Sequence, residues 1–286
     1  MCPGNQEKAG QTTFSLVRHR RKELTMERDK FTVSLIQMKI VPGDVEGNLK
    51  RAEDLINEAS RSSPSVIFLP EVFATGFHYR DLAGMAKQAP AILTWARKQA
   101  KERGTALVFS IPVLENGKIY NAAFIVGKEG RTRGSYRKVH LFGLFREDRY
   151  FARGGETLIS GVDGFRISPL ICYDLRFPEI ARKVTLQGAS LIAYISQWPR
   201  ERINHWKTLL PARALENQLF VVGVNGWGKS GPINLGGNSM VASPTGEILA
   251  KGGQGEGVVT ASLDMRDLKR FREKMPCLKD RIPEAY

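Results

Sequence analysis

With 286 residues, 42% of them hydrophobic, the chain suits one large domain or two small ones, and it lacks the run of about 18 apolar residues that a membrane span needs. Its formal net charge of +14 is diffuse: residues 1–25 hold five basic and two acidic side chains, and no basic stripe or RNP-type aromatic motif follows, so nucleic acid is not an expected partner. Cys2, Cys172 and Cys277 are too scattered for a disulfide framework or a CxxC zinc site, and the four histidines form no HExxH, which points to a reducing cytoplasm and to no metal or cofactor.

Residues 1–30 lack the long apolar segment of a signal peptide. They are expected to be disordered, or to be a misassigned start ahead of Met26, with the folded domain at 31–286. Alternation of Val33, Leu35 and Ile36 predicts a strand over Phe31–Lys39, followed by a Pro-Gly-Asp turn and a helix over Glu46–Ser60. Ser65–Leu69 reads as a second short strand and Ala91–Arg103 as a helix that Gly104 ends. The period then changes: Thr105–Leu114, Ile119–Val126 and Arg131–Arg137 read as a meander joined by tight turns.

A long loop over Leu141–Leu158 precedes a strand at Phe165–Ile171 and a helix at Glu179–Gln187. Leu191–Ser196 and Leu219–Asn225 are buried strands on either side of a helix over Arg202–Gln218, in which Pro211 should mark a kink or the true start. Strands at Ser239–Ala242, Glu247–Ala250 and Gly257–Leu263 and a helix at Asp264–Lys274 complete the chain. No internal repeat or linker interrupts residues 31–286, so mixed sheets covered by helices within one α/β domain are expected.

Three polar residues stand where apolar strands end. Cys172 leaves ISPLI for the turn CYDLRFPE, whose Pro178 and Glu179 suit the start of a helix; such a junction can favour a thiolate and hold an oxyanion. A lone cysteine is equally a small buried hydrophobe, so its partners decide. Glu71 follows VIFLP, where Phe68, Pro70, Val72 and Phe73 would surround a general base with apolar atoms, although a surface or capping glutamate has the same local pattern. Lys138 ends GSYRK, where a fixed ammonium would stabilise developing negative charge, as an ordinary surface lysine would not. His140 is a structural hydrogen-bonder beside it rather than the base of a Cys–His pair, since no cysteine-protease signature surrounds Cys172. The segment GVNGWGKS, Gly223–Ser230, fits the P-loop pattern, but Gly231 and Pro232 forbid the helix that would cradle phosphate.

FLPEVFATGF, YRKVHLF and LICYDLRFPE, in this order, resemble the Glu, Lys and Cys motifs of the nitrilase or carbon-nitrogen hydrolase superfamily from about Phe31 to the C-terminus. The resemblance implies a four-layer α-β-β-α sandwich and a homodimer or higher homo-oligomer. It makes Glu71 the general base, Lys138 with the Tyr173 backbone N–H the oxyanion stabiliser, and Cys172 a nucleophile that forms a thioester. CYDLRFPE, SQWP and HWKTLLPARALENQ resemble the omega-amidase branch, whose substrates are small omega-amides of 2-oxo acids. The resemblance further implies that Glu147 of HLFGLFRED helps position substrate and lysine, although REDRY departs from the DEH-type sequence of close omega-amidases. Trp198 would wall the substrate or sit in the core, and Arg176 would pair with Asp174 or a neighbouring carboxylate behind the site. An N-carbamoyl amino acid or other aliphatic amide is the alternative substrate, and a non-catalytic protein binding through its basic surface the alternative of another class.

Overall fold

The computed structural model describes Met1 and residues 30–285, so of the expected N-terminal extension, residues 1–30, all but Met1 and Lys30 lies outside the described residues. The chain begins with β1 (Lys30–Gln37), α1 (Val45–Ser60), β2 (Val66–Phe68), α2 (Leu82–Lys87), α3 (Ala89–Arg103), β3 (Ala106–Glu115), β4 (Lys118–Val126) and β5 (Thr132–Arg137). The short α4 (Glu147–Tyr150) and β6 (Ser160–Val162) connect these to β7 (Phe165–Ile171), α5 (Pro178–Leu186), β8 (Leu191–Ser196), α6 (Ile203–Asn217) and β9 (Phe220–Asn225). A hairpin of β10 (Trp227–Ser230) and β11 (Ile233–Gly236), then β12 (Met240–Ala242), β13 (Ile248–Lys251), β14 (Gly257–Asp264) and α7 (Met265–Lys274) follow.

Two six-stranded sheets result, ordered β14-β1-β2-β3-β4-β5 and β13-β12-β9-β8-β7-β6. Each has three parallel strands at its centre, β1, β2, β3 in one and β7, β8, β9 in the other, with antiparallel strands on both sides. The period of two explains the layering. Along β1 to β3, Val33, Leu35, Val66, Phe68 and Val108 face the second sheet, while Ile36, Ile67, Leu107 and Phe109 face α1 and α3 through Ala52, Ile56, Ile92 and Ala96. On the far side α5 and α6 cover the second sheet with Val184, Trp206, Leu210 and Ala214. The result is the expected α-β-β-α sandwich, and Phe31 stacked on Phe165 at 4.2 Å pins the two sheets together.

The element boundaries follow local chemistry. Asp44 caps α1 by accepting from the Gly47 N–H at 3.0 Å, and Gly104 ends α3 at φ +61°, where a side chain would be strained. Pro211 is neither start nor stop: α6 runs unbroken through it, because Trp206, Leu210, Arg213 and Ala214 bury one face and outweigh a missing hydrogen bond. Four features escape sequence periodicity, α2, the short α4 within the expected long loop, β6 and the β10–β11 hairpin. The P-loop look-alike runs from the end of β9 into the hairpin, where Ser230 pairs opposite Ile233.

Candidate active site

The ends of four strands converge between the sheets. Glu71 follows β2, Lys138 follows β5, Cys172 follows β7 and Gln197 follows β8. Glu71, Lys138 and Glu147 are buried to within 1% of full exclusion from solvent. A buried carboxylate is tolerable only when its lone pairs are used. Glu71 Oε1 accepts from Lys138 Nζ and from Asn121 Nδ2, both at 2.8 Å, and Oε2 accepts from the Gln197 backbone N–H at 3.0 Å. A carboxylate has about four lone-pair sites, so one remains for the Cys172 thiol beside it. Lys138 Nζ is shared between Glu71 and Glu147, whose oxygens lie at 2.8 and 2.9 Å, and Glu147 also accepts from the Phe142 N–H at 3.2 Å. The structure therefore brings Glu71, Lys138, Glu147 and Cys172 into one cluster.

Backbone strain marks the same place. Val72 and Cys172 are both left-handed, at φ +40° and +43°, a region that a β-branched residue occupies only when its surroundings enforce it. Val72 N–H donates to Ser110 Oγ at 2.9 Å, and Ile171 N–H donates to Asp174 Oδ2 at 2.8 Å, so each turn is tied from within the protein. Asp174 also accepts from Tyr136 Oη at 2.7 Å and from the His140 N–H at 3.1 Å, with His140 Nδ1 at 2.8 Å. One buried carboxylate thus joins the turn holding Cys172 to the strand end holding Lys138. His140 is the structural hydrogen-bonder expected, and Arg176 is not the partner of Asp174. The guanidinium instead lies over the Trp198 ring at 4.8 Å and donates to His205 Nδ1 at 3.2 Å.

Electrostatics set the resting protonation. Burial, reinforced by the Glu71 charge and opposed by Lys138, pushes the Cys172 thiol well above its ordinary value. The expectation of a thiolate favoured by the following helix is not met: α5 begins only at Pro178, and a short 3-10 turn, Cys172–Arg176, intervenes. Burial opposes the Lys138 ammonium, but Glu147 and Glu71 outweigh it and hold the lysine well above its ordinary value. Burial pushes Glu147 up to about 7 against the pull of Lys138, and Glu71 adds to the rise.

A small cavity opens onto Cys172, Glu71 and Glu147 and is walled by Phe77, Phe142, Tyr173 and Trp198. Trp198 lines the cavity and is also 98% buried, donates from Nε1 to the Arg202 carbonyl and packs on Trp206 at 5.5 Å. Asn121, Gln197 and Ser230 are functional neighbours that strand periodicity does not reveal. Gln197 grips Glu71 twice, since its side chain also donates to the Glu71 carbonyl at 2.9 Å, and Ser230 of the hairpin donates to Gln197 Oε1 at 3.1 Å. A polar Asn inside KIYNAAFIV is the one available signal, because a central strand seldom buries an amide without a partner.

Residues 32–273 match the model of the carbon-nitrogen hydrolase family. The chain belongs to that family. Relatives of this carbon-nitrogen hydrolase include the 2-oxoglutaramate amidase of Bacillus subtilis (strain 168), 38% identical over 90% of this chain and 100% of its own. The omega-amidase of Xenopus tropicalis is 33% identical over 90% of this chain and 97% of its own. A solved mutant of the amidase from Nesterenkonia sp. AN1, which carries the acetamide moiety of fluoroacetamide on its active-site cysteine, superposes with a TM-score of 0.81 at 29% identity, covering 89% of this chain and 95% of that one. The enzyme is accordingly an amidase, a hydrolase of non-peptide carbon–nitrogen bonds. Among its described residues no helix is long and apolar enough to cross a membrane.

Proposed function

We propose that this carbon-nitrogen hydrolase is an omega-amidase that releases ammonia from the omega-amide of a 2-oxo dicarboxylic acid, with 2-oxoglutaramate as the reference substrate. The 38% identity to a 2-oxoglutaramate amidase supports the substrate class. The observation that carries the chemistry is the single free lone pair of Glu71 at a thiol held protonated. Glu71 takes the thiol proton as Cys172 Sγ bonds to the amide carbon, while Lys138 and the Tyr173 N–H face the oxyanion. Glu71 returns that proton to nitrogen, the C–N bond breaks and ammonia leaves a thioester. Water then loses a proton to Glu71 and attacks; the C–S bond breaks and the sulfur takes the proton back. Glu147 positions Lys138, and Trp198 walls the substrate.

Purified enzyme should release one ammonia per 2-oxoglutaramate, and Cys172→Ala should abolish release. A preference for an N-carbamoyl amino acid, with carbon dioxide formed beside ammonia, would overturn the substrate assignment. We further assign the enzyme to the cytoplasm as a homodimer or higher homo-oligomer, with residues 31–286 as its folding unit. Light scattering that finds a monomer, or a chain started at Met26 that fails to fold, would contradict this.

A further inference from the structure

Beside the catalytic cluster lie two buried polar atoms with no hydrogen-bond partner among the described residues, the Tyr79 hydroxyl and Asn121 Oδ1. Asn121 commits its Nδ2 to Glu71, which leaves its oxygen as an acceptor without a donor. Tyr79 is the complementary case, a phenol that donates and meets no acceptor. A hydroxyl is costly to bury in that state, and phenylalanine would fill the same space without it.

The packing around Tyr79 shows what it faces. Its ring stacks on Tyr150 at 4.3 Å and meets the edge of Phe151 at 6.4 Å. These are the third and fourth residues after Glu147, and the Phe151 N–H donates to the Glu147 carbonyl at 2.8 Å. Positions three and four apart share one face of a helical turn, so Tyr79 lies against the face of α4 that carries Glu147. The other wall is β4. Ile119 packs in the same apolar cluster as Tyr79, and its carbonyl accepts from the Ala152 N–H at 2.7 Å. Asn121 stands two residues further along that strand and therefore on the same side of the sheet.

Electrostatics agree with this placement. Burial raises the Tyr79 phenol well above its ordinary value, and the charge of Glu147 raises it further, with lesser effects from Lys138 against the rise and from Glu71 and Tyr150 with it. Tyr79 is therefore a neutral donor at every working pH. Glu147 has room for one more donor: Oε2 accepts from Lys138 Nζ and the Phe142 N–H, whereas Oε1 accepts from Lys138 alone. The other titratable groups that act on Glu147, namely Lys138, Glu71 and the Cys172 thiol, leave that lone pair open.

We propose that Tyr79 is a positioning residue for Glu147: its hydroxyl donates to one buried water, which donates in turn to Glu147 Oε1 and to Asn121 Oδ1. One hydrogen bond received and two given satisfy all three groups. The arrangement favours the ionised carboxylate, so Glu147 keeps its grip on Lys138 at a lower pH than burial alone permits. This rests on the proposed role of Glu147 in holding Lys138 and adds to it the group that sets its ionisation.

The test follows kcat/KM from about pH 5 to 9 with 2-oxoglutaramate and with butyramide, in the wild type, Tyr79→Phe, Glu147→Gln and the double variant. Tyr79→Phe keeps the ring stack and removes one oxygen. It should move the acid limb up by about one pH unit on either amide, so that the loss is about tenfold greater near pH 6 than on the alkaline plateau. Added to Glu147→Gln, where the limb is gone, it should cost less than about twofold at any pH. A limb that stays in place or moves down in Tyr79→Phe overturns the inference and leaves the role of Glu147 standing. An equal loss at every pH and in both backgrounds also overturns it, because packing alone behaves in that way. A limb that survives Glu147→Gln overturns both readings. Turnover of butyramide without 2-oxoglutaramate would sink the omega-amidase assignment only, and the position of the limb on butyramide then decides for or against Tyr79.

Discussion

The two sheets share a topology and divide the chemistry. Both have a parallel core of three strands joined by helices and extended by antiparallel strands, and both end their central strands at the same cleft. The sheet of β1 to β5 supplies the ionised groups, Glu71 and Lys138, after β2 and β5. The sheet of β7 to β9 supplies the sulfur after β7 and the amide donors of Gln197 after β8. The corresponding middle strands, β2 and β8, thus end in a glutamate and a glutamine that hold each other. On the proposed chemistry, charge on one side and nucleophile on the other keep either half from working alone, and the contacts between them become the sensitive points.

Several substitutions separate the two contributions. The largest effect is expected for Glu71→Gln, which should cut turnover by about 10²- to 10⁴-fold. The same change removes a negative charge that holds the thiol up, so Cys172 should react faster with iodoacetamide at pH 8; slower alkylation would mean that Glu71 does not set the thiol's protonation. Lys138→Met strands two buried carboxylates and should cost about 3–5 kcal/mol in chemical denaturation. Asp174→Asn tests the joint between the sheets. It weakens the bonds from Tyr136, His140 and Ile171, and it should lower stability by about 1–3 kcal/mol, with a rise in KM or a fall in kcat for amides of every charge.

Glu147 gives the pH dependence. Its native value of about 7 lies above the ordinary 4.5, so the folded state binds more protons between those values. Its contribution therefore favours the fold near pH 4.5 and is lost as the pH rises towards 7. Activity should run the other way, because protonation below about pH 7 weakens one of the two ion pairs of Lys138. A pH–rate profile should show an acid limb near 7 that Glu147→Gln removes. The smallest effect is expected for Ser230→Ala, which frees Gln197 Oε1 and should reduce kcat only by about two- to tenfold.

Much of this arrangement is legible in the sequence, for a physical reason. Strands buried on both faces read as continuous apolar runs, so VIFLPE and PLIC announce where polar groups emerge, whereas SYRK ends an edge strand that is mostly exposed. The helices α1 and α3 are fixed by caps at Asp44 and Gly104. The rest depends on residues distant in sequence. Asn121 and Gln197 matter because they face Glu71 across 50 and 126 residues, a relation that no local pattern encodes. Pro211 misleads because the buried face of α6 overrides a local penalty. Asp174, two residues before an arginine in the chain, instead reaches back to Tyr136 and His140 across 38 and 34 residues.

The occupancy of Glu71 has a kinetic consequence. With three lone pairs committed to Lys138, Asn121 and Gln197, the carboxylate manages one mobile proton at a time. On the proposed chemistry, departing ammonia and arriving water therefore use the same position in turn, never together. The reaction is ordered as a ping-pong sequence with ammonia the first product out. A small amine such as hydroxylamine competes with water for the acyl group, and its product partition reports how long the vacated position stays open.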